Sequence, residues 1–285
     1  MKRPASLDGY TTREVANLLA ISEGQVRSWV RAGFLAPRRG ARDEYRFSFQ
    51  DLVVLRAAQG LTAARVPWRR IRAALAKLAD QLFCGCSLAG VRIAAEGGYI
   101  IVHDGIEAWE PDSGQRVFDF EVAELAERAA PLAHRAAAEA RSAAEGLGAD
   151  DWYALGYELE ATAVAEAREA YRRALALAPG HADAHLNLGR LLHEEGDVQG
   201  AERHYREAAA LRPNDPTAAF NLGVALQDLG RLRETKTAYR LALAADPDYA
   251  DAHYNLAGLY EELGERADAI QHLSAYKGLI WNPAW

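Results

Sequence analysis

Guanidinium groups dominate the chemistry on offer near the start of this chain. Residues 1–80 carry 15 Lys and Arg against 7 Asp and Glu, a balance of +8; the 285-residue whole carries −7, which leaves −15 for the rest. Seven of those fifteen (Arg27, Arg31, Arg38, Arg39, Arg42, Arg46 and Arg56) fall between positions 27 and 56. A planar guanidinium donates parallel bonds to a phosphate or to a guanine edge, and an amide such as Gln25 can pair with adenine. The bland alternative is a solvated helix face, but the clustering of arginine argues against it. A basic head on an acidic body points to a nucleic-acid contact confined to one end.

Other reactive side chains offer less. Cys84-Gly-Cys86 supplies half of a tetrahedral metal site with no histidine nearby, so buried, unreactive thiols are the default reading. His181 and His185 stand at the i, i+4 spacing of metal ligands, yet His185 and His253 share one position of a repeat described below, which favours packing. "VHDGIEAWE" gathers His103, Asp104, Glu107 and Glu110, and a turn at Asp104-Gly105 explains it. The chain holds no phosphate-binding Gly loop, no G-x-S-x-G and no H-E-x-x-H. The expectation is a non-enzyme with no cofactor and no metal. Two cysteines make no disulfide framework, no apolar run approaches a bilayer span of about 20 residues, and the first residues lack the apolar core of a signal peptide. The expected compartment is the cytoplasm, with no membrane contact.

The elements that must position these groups fall into zones. Thr11 with Glu14 makes a capping box for "REVANLLA", with Val15, Leu18 and Leu19 on one face. Ser22 and Gln25 repeat that signature before a helix that buries Val26, Trp29 and Val30 and stops at Gly33. Only "AIS" separates the two helices, as in a helix-turn-helix. "LAPRRGARDEYRFSF" then reads as a turn and strand, the composition of a β-wing, before the helix "QDLVVLRAAQGLTAA". Pro67 opens "PWRRIRAALAKL", with Ile71, Leu75 and Leu78 on one side. Residues 84–120 have strand-and-turn grammar for three or four antiparallel strands. From Glu121 to about Glu145 the chain reads as a helix interrupted or kinked near Pro131. Its stripe Val122, Leu125, Ala129, Leu132 and Ala136 suits either a dimer seam or an amphipathic linker. "GLGAD", at 146–150, reads as a hinge.

The last zone repeats itself. Asn187, Asn221 and Asn255 are successively 34 residues apart, and Leu188, Leu222 and Leu256 keep that register, as do Pro213 and Pro247. An earlier unit, "DWYALGYELE", supplies Trp152, Leu155 and Gly156, with Tyr171 and Pro179 following, and is one residue short in its inter-helix turn. A 34-residue period with W-x2-L-G, then Ala, aromatic and Pro, is the signature of tetratricopeptide repeats. Small residues at one site (Ala167, Ala201, Thr235 and Ala269) let paired helices pack closely. Stacked units build a superhelix with a groove that binds extended peptides. The resemblance sets Asn187, Asn221 and Asn255 on groove-facing helices, where carboxamides can follow a peptide backbone, with Arg190 and Gln227 beside them; that Asn is simply common at this position is the alternative. His193, Glu194, Asp228, Glu261 and Glu262 make the groove neutral to acidic, which favours a basic or amphipathic partner.

Residues 9–80 resemble the MerR-type winged-helix family of bacterial transcription regulators. "YTTREVANLLAISEGQVRSWVRAGFLAP" follows that family's opening without a gap, and "YRFSFQDLVVLRAAQGL" its wing-to-helix segment. The resemblance implies a second helix in the major groove of duplex DNA and a wing on the backbone. It assigns DNA contact to Thr12, Arg13, Ser22, Gln25, Arg27, Ser28, Trp29 and Arg31, and in the wing to Arg38, Arg39, Arg42, Tyr45 and Arg46, with Trp29 approaching phosphate. Gly24 and Ser28 depart from the family's usual basic residue and Tyr. The family's regulators act as dimers, which makes a homodimer an expectation, although the usual dimer helix and effector half are replaced here.

The expected fold is mainly α: an N-terminal winged helix-turn-helix at 1–80, a small antiparallel β element at 81–120, a helical linker or dimer helix at 121–149, and a tetratricopeptide α-solenoid of about four units at 150–285. The expected function is a transcription regulator whose repeats bind a partner protein or peptide that controls it. The alternative is a non-regulatory adaptor that recruits a protein complex, with the winged domain as a docking module.

Overall fold

The computed structural model describes residues 9–63, 66, 67, 69–73, 75, 92–96, 99–103, 116–143 and 146–280. The chain divides into two compact units, one of residues 1–147 with 154–167, the other of 148–153 with 168–285. Residues 154–167, within the first repeat, thus cluster with the head.

In the first unit, β1 (Tyr10–Thr11) leads into α1 (Thr12–Leu19), which starts on a complete capping box. The Thr11 hydroxyl accepts from the Glu14 N–H, while the Glu14 carboxylate accepts from the Thr11 N–H at 2.9 Å. Ala20, in the left-handed region at φ 54°, ends α1. Ser22 Oγ caps α2 (Glu23–Arg31) through the Gln25 N–H, and Gly33 follows at φ 75°, a backbone state in which a Cβ is strained. The turn Ala20-Ile21-Ser22 is as short as its sequence implied.

β2 (Arg38–Arg39) and β3 (Tyr45–Phe47) form the wing, and β3 is the central strand of an antiparallel sheet ordered β1-β3-β2. Arg46 faces Thr11 on one side and Arg38 on the other. Ser48 and Asp51 exchange bonds at the start of α3 (Phe49–Ala63), which buries residues nearly all round. β4 (Arg92–Glu96), β5 (Tyr99–His103) and β6 (Arg116–Glu121) form a second antiparallel sheet, ordered β5-β4-β6, within the span of strand-like sequence.

α4 (Val122–Ser142) runs through Pro131 as one helix, so of the two expectations there the interruption does not occur. A prolyl residue withholds one N–H and typically costs about 3 kcal/mol in a helix interior, so packing must hold the helix together. Its buried face is Val122, Leu125, Ala129, Ala133, Ala137 and Ala140. Of the expected stripe, Leu132 and Ala136 are only half-buried, Leu132 still packing against the core, while Ala133, Ala137 and Ala140 are the fully buried positions beyond Ala129. Val122, Leu125 and Ala129 join the core formed by Val15, Leu19, Val26, Trp29, Phe47, Leu52 and Leu55. That part of the stripe is therefore covered within the chain rather than free as a dimer seam. Ile71 and Leu75 enter the same core, and Leu78 lies outside the described residues.

The repeats supply α5 (Ala149–Leu159), α6 (Val164–Leu177), α7 (Ala182–Glu194), α8 (Val198–Leu211), α9 (Pro216–Asp228), α10 (Leu232–Ala245), α11 (Ala250–Glu262) and α12 (Arg266–Ile280). The residue missing from the first repeat comes out of its helix: α5 stops at Leu159, the counterpart of Leu192, two residues before Glu194. Ala167, Ala201, Thr235 and Ala269 are all buried at the expected helix crossings. Gly196, Gly230 and Gly264 turn each later pair at φ 70–88°.

Gly189 and Gly223 have a different role. A Cβ at either would stand 2.8 or 2.4 Å from the ring of Tyr205 or Tyr239. In the fourth repeat Ala257 replaces the glycine, and Leu273 replaces the tyrosine. Charges link successive repeats with alternating polarity: Arg168 meets Glu195, Glu202 meets Arg231 at 3.1 Å, and Lys236 meets Glu265 at 2.6 Å.

Candidate nucleic-acid interface and repeat groove

Arg27, Ser28 and Arg31 are exposed on α2, and Arg38, Arg39 and Arg42 on the wing. Arg13 is exposed on α1, Ser22 is exposed at the α2 cap, and Thr12, Gln25 and Tyr45 are half-buried. Several of these cations have an internal partner. Arg27 pairs with Glu23 at 2.6 Å, and the Arg31 Nε–H donates to the Arg27 carbonyl. Arg39 lies over the Tyr45 ring at 4.1 Å and donates to the Asp43 carbonyl at the wing tip, where Asp43 adopts φ 61°. Arg38 approaches Glu158 at 3.9 Å. A phosphate must displace only weak surface contacts to reach these exposed arginines.

Two of the anticipated contact residues are placed otherwise. Trp29 is 4% exposed, its ring 6.3 Å from Phe34, and it belongs to the head's core. Helical periodicity explains this: Trp29 follows Val26 by three positions, so both point inward. Its assignment as a phosphate-approaching aromatic is corrected. Arg46 is 8% exposed and binds the Glu44 carboxylate at 2.8 and 3.2 Å, holding that group's pKa down at about 2, with a further bond to the Gly9 carbonyl. A central-strand residue has neighbours on both sides, which leaves Arg46 structural rather than presented to DNA.

Some contributors were missed. Arg72, exposed, lies against Gly33 at the end of α2, its guanidinium 3.5 Å from the glycine's would-be Cβ. Its signal was the count of arginines at 69–72. Arg135 of α4 binds the capping carboxylate of Glu14 at 2.5 Å, and Gln50 donates to Tyr157 at 3.0 Å. No local pattern announces contacts separated by more than a hundred residues. A cavity of about 380 Å³ in this unit is lined by Tyr10, Glu14, Arg46, Arg135 and Glu158 among others. Burial pushes the Tyr10 phenol above its ordinary range and the Glu158 carboxyl up to about 7, the Arg38 charge and a Phe49 N–H only partly opposing the latter.

In the repeats, Asn187 and Asn255 use their carboxamides between repeats. Each donates to a tyrosine hydroxyl of the preceding repeat, Asn187 to Tyr171 at 3.1 Å and Asn255 to Tyr239 at 3.4 Å. The Tyr239 hydroxyl in turn donates a hydrogen bond to Gln227 Oε1 at 2.8 Å. Asn221 is half-buried, and Arg190 pairs with Glu194 at 2.7 Å. Gln227 and Asn255 come together with Tyr254, Gly258, Glu261 and Leu273 around a pocket of about 330 Å³; Asn187, Arg190 and Asn221 are not among its lining. Tyr254 is 56% exposed there. His193 binds Asp228 at 2.7 Å.

Among the described residues no three His, Cys, Asp or Glu side chains converge as a metal site. His181 caps α7 by accepting the Ala184 N–H, and His185 turns away to another partner. Cys84, Cys86, Asp104, Glu107 and Glu110 lie outside the described residues. No helix among the described residues is long and apolar enough to cross a membrane.

Residues 10–78 match the family described as MerR HTH family regulatory protein, and residues 157–216 and 220–282 match the tetratricopeptide repeat family. Similar solved structures include a crystal structure of MamA, 20% identical over 51% of this chain and 85% of that one, with a TM-score of 0.48. A MamA fragment from Desulfovibrio magneticus RS-1 is 19% identical over 57% of this chain and 94% of that one, also at 0.48. No curated protein matches the chain. Both matched families are regulatory or interaction types rather than enzymatic ones. The chain joins a MerR-type helix-turn-helix domain at 10–78 to tetratricopeptide repeats at 157–282, the makeup of a DNA-binding regulator with a protein-interaction region.

Proposed function

We propose that this protein regulates transcription in the cytoplasm by binding duplex DNA through its head, under the control of a protein or peptide held by the repeats. The carrying observation is that α2 and the wing present Arg27, Arg31, Arg38, Arg39 and Arg42, all exposed, on a head whose core already accounts for Trp29 and Arg46. In this reading α2 enters the major groove, with Gln25, Arg27 and Ser28 toward base edges. Arg31 and the wing arginines, with Thr12, Arg13, Ser22 and Tyr45, contact the backbone. The domain division follows as 1–80 for DNA, 81–120 for the β element, 121–149 for the connecting helix and 150–285 for the partner.

The groove around Gln227, Tyr254, Asn255 and Glu261 suits a basic or amphipathic segment: an exposed ring supplies an apolar contact and a carboxylate a counter-charge. Asn187, Arg190 and Asn221 would extend that surface along the array. Two copies on paired half-sites is the arrangement that the family resemblance implies, and equilibrium sedimentation with and without DNA tests it.

The decisive experiment selects duplex sites from a random pool with the full chain, then measures affinity against salt. Each phosphate contact steepens the logarithmic slope by about 0.9. A regulator of this kind loses binding in Arg27→Ala, and its selected site lies upstream of a gene whose expression changes on deletion. Failure to bind any duplex at low salt refutes DNA recognition and leaves the adaptor reading.

A further inference from the structure

Two imidazole pairs recur in the repeats with one geometry. His185 of α7 and His204 of α8 face each other with Nδ1 atoms 2.9 Å apart; His253 of α11 and His272 of α12 do the same at 2.8 Å. The outer nitrogen of the first ring meets a proline carbonyl each time, Pro179 at 2.9 Å and Pro247 at 3.0 Å. The pairs are 68 residues apart, and the repeat between them has Ala219 and Ala238 in the two positions, both buried. Close packing of the helices therefore does not require histidine. The second pair also stacks on Tyr260, 5.5 Å from His272 and tilted by 11°.

The carbonyl contacts fix the tautomer. A carbonyl oxygen can only accept, so His185 and His253 donate from Nε2, and in the neutral ring Nδ1 then carries a lone pair. That lone pair points at the partner imidazole. A ligand histidine whose other N–H is held by a backbone carbonyl is a recurrent arrangement in metal sites.

We propose that each pair is a two-histidine site for a divalent transition metal ion of the zinc, nickel and copper class, with water completing the coordination. Imidazole nitrogen suits these ions. Two nitrogens bound to tetrahedral zinc stand about 3.3 Å apart, so each pair must open by about half an ångström. In the free pair the single N–H of His204 and of His272 sits on Nδ1 and is donated to the lone pair of the partner ring; on metal binding that proton moves to Nε2 by exchange with water, so each ring stays neutral and no net proton is released. Arg172 and Arg203 oppose a cation at the first site and Asp197 favours it; Arg240 and Asp268 play these parts at the second. With two protein ligands, affinity is modest, and binding clamps α7 to α8 and α11 to α12.

The test is calorimetric titration of the tag-free full chain with zinc chloride near neutral pH, with thermal melting alongside. The expected result is two equivalents of zinc and a rise in Tm. His185→Ala with His204→Ala removes one equivalent, and adding His253→Ala with His272→Ala removes both and abolishes the rise. These substitutions reproduce the alanines of the intervening repeat, and circular dichroism checks that the variants remain folded. Absence of zinc binding up to millimolar concentration overturns the proposal. So does retention of two equivalents in the fourfold variant, which would locate the metal elsewhere.

Discussion

Glu158→Gln tests whether the head carries a carboxyl that folding penalises at neutral pH. Glu158 is 18% exposed, and its pKa rises from 4.5 to about 7, chiefly through burial. At 1.36 kcal/mol per unit, the shift corresponds to about 3 kcal/mol. The folded state holds the proton more tightly than the unfolded state, so this stability is present below pH 4.5, declines as pH rises and is gone above about 7. Glutamine keeps the volume and an acceptor for the Phe49 N–H but cannot ionise. The attraction of Arg38, a 3.9 Å pair from a guanidinium 74% exposed, is weak and already contained in that net shift. The expectation is a gain of about 3 kcal/mol at pH 8, or about 6–12 °C in Tm for a unit of this size. Below pH 4.5 the gain vanishes or reverses slightly. Melting wild type and variant by circular dichroism across pH 4–8 reads it directly. A Tm difference independent of pH, or a variant less stable at pH 8, refutes the account of Glu158.

Other substitutions probe the remaining assignments. Trp29→Ala should cost about 3–5 kcal/mol in denaturant unfolding, as for a buried aromatic, whereas Trp29→Phe should keep both fold and DNA affinity; a DNA defect in a fully stable Trp29→Phe would return the indole to the interface. Arg42→Ala should weaken DNA binding with little change in Tm and lower the salt slope by about one unit. An unchanged slope would remove Arg42 from the backbone contacts. Gly223→Ala should destabilise the repeats by about 1–3 kcal/mol through its clash with the Tyr239 ring, and adding Tyr239→Leu should recover part of the loss, as Ala257 and Leu273 coexist in the fourth repeat. Equal destabilisation in the single and double variants would sink that packing argument.

Local grammar made much of this fold legible. Capping boxes, the three-residue turn, the wing composition and the 34-residue period depend on neighbours in sequence, and the elements formed where those signals stood. The stripe on α4 was legible as far as Ala129; beyond it Leu132 and Ala136 are only half-buried, because which flank a neighbouring element covers is not written in the helix's own spacing. At Pro131 the local cost was visible in the sequence, while the packing that keeps α4 uninterrupted there was not. The site was less legible than the fold. Trp29 and Arg46 have side chains suited to DNA, but helix phase and a central-strand position turn both inward. The asparagine ladder pointed to a ligand, while two of its members bond to tyrosines in the preceding repeat. The Glu14–Arg135 and Arg38–Glu158 contacts join residues far apart in the chain, where spacing carries no information.

The alternation of charge between repeats has a consequence for how such an array can change length. Removing the second repeat would bring Arg168 against Arg231, and removing the third would set Glu202 against Glu265. Removing both restores an opposite pair, Arg168 with Glu265. The histidine pairs skip the same intervening unit. The array thus has a parity of charge: an internal gain or loss of two units keeps opposite charges facing at these junctions, while an internal step of one does not.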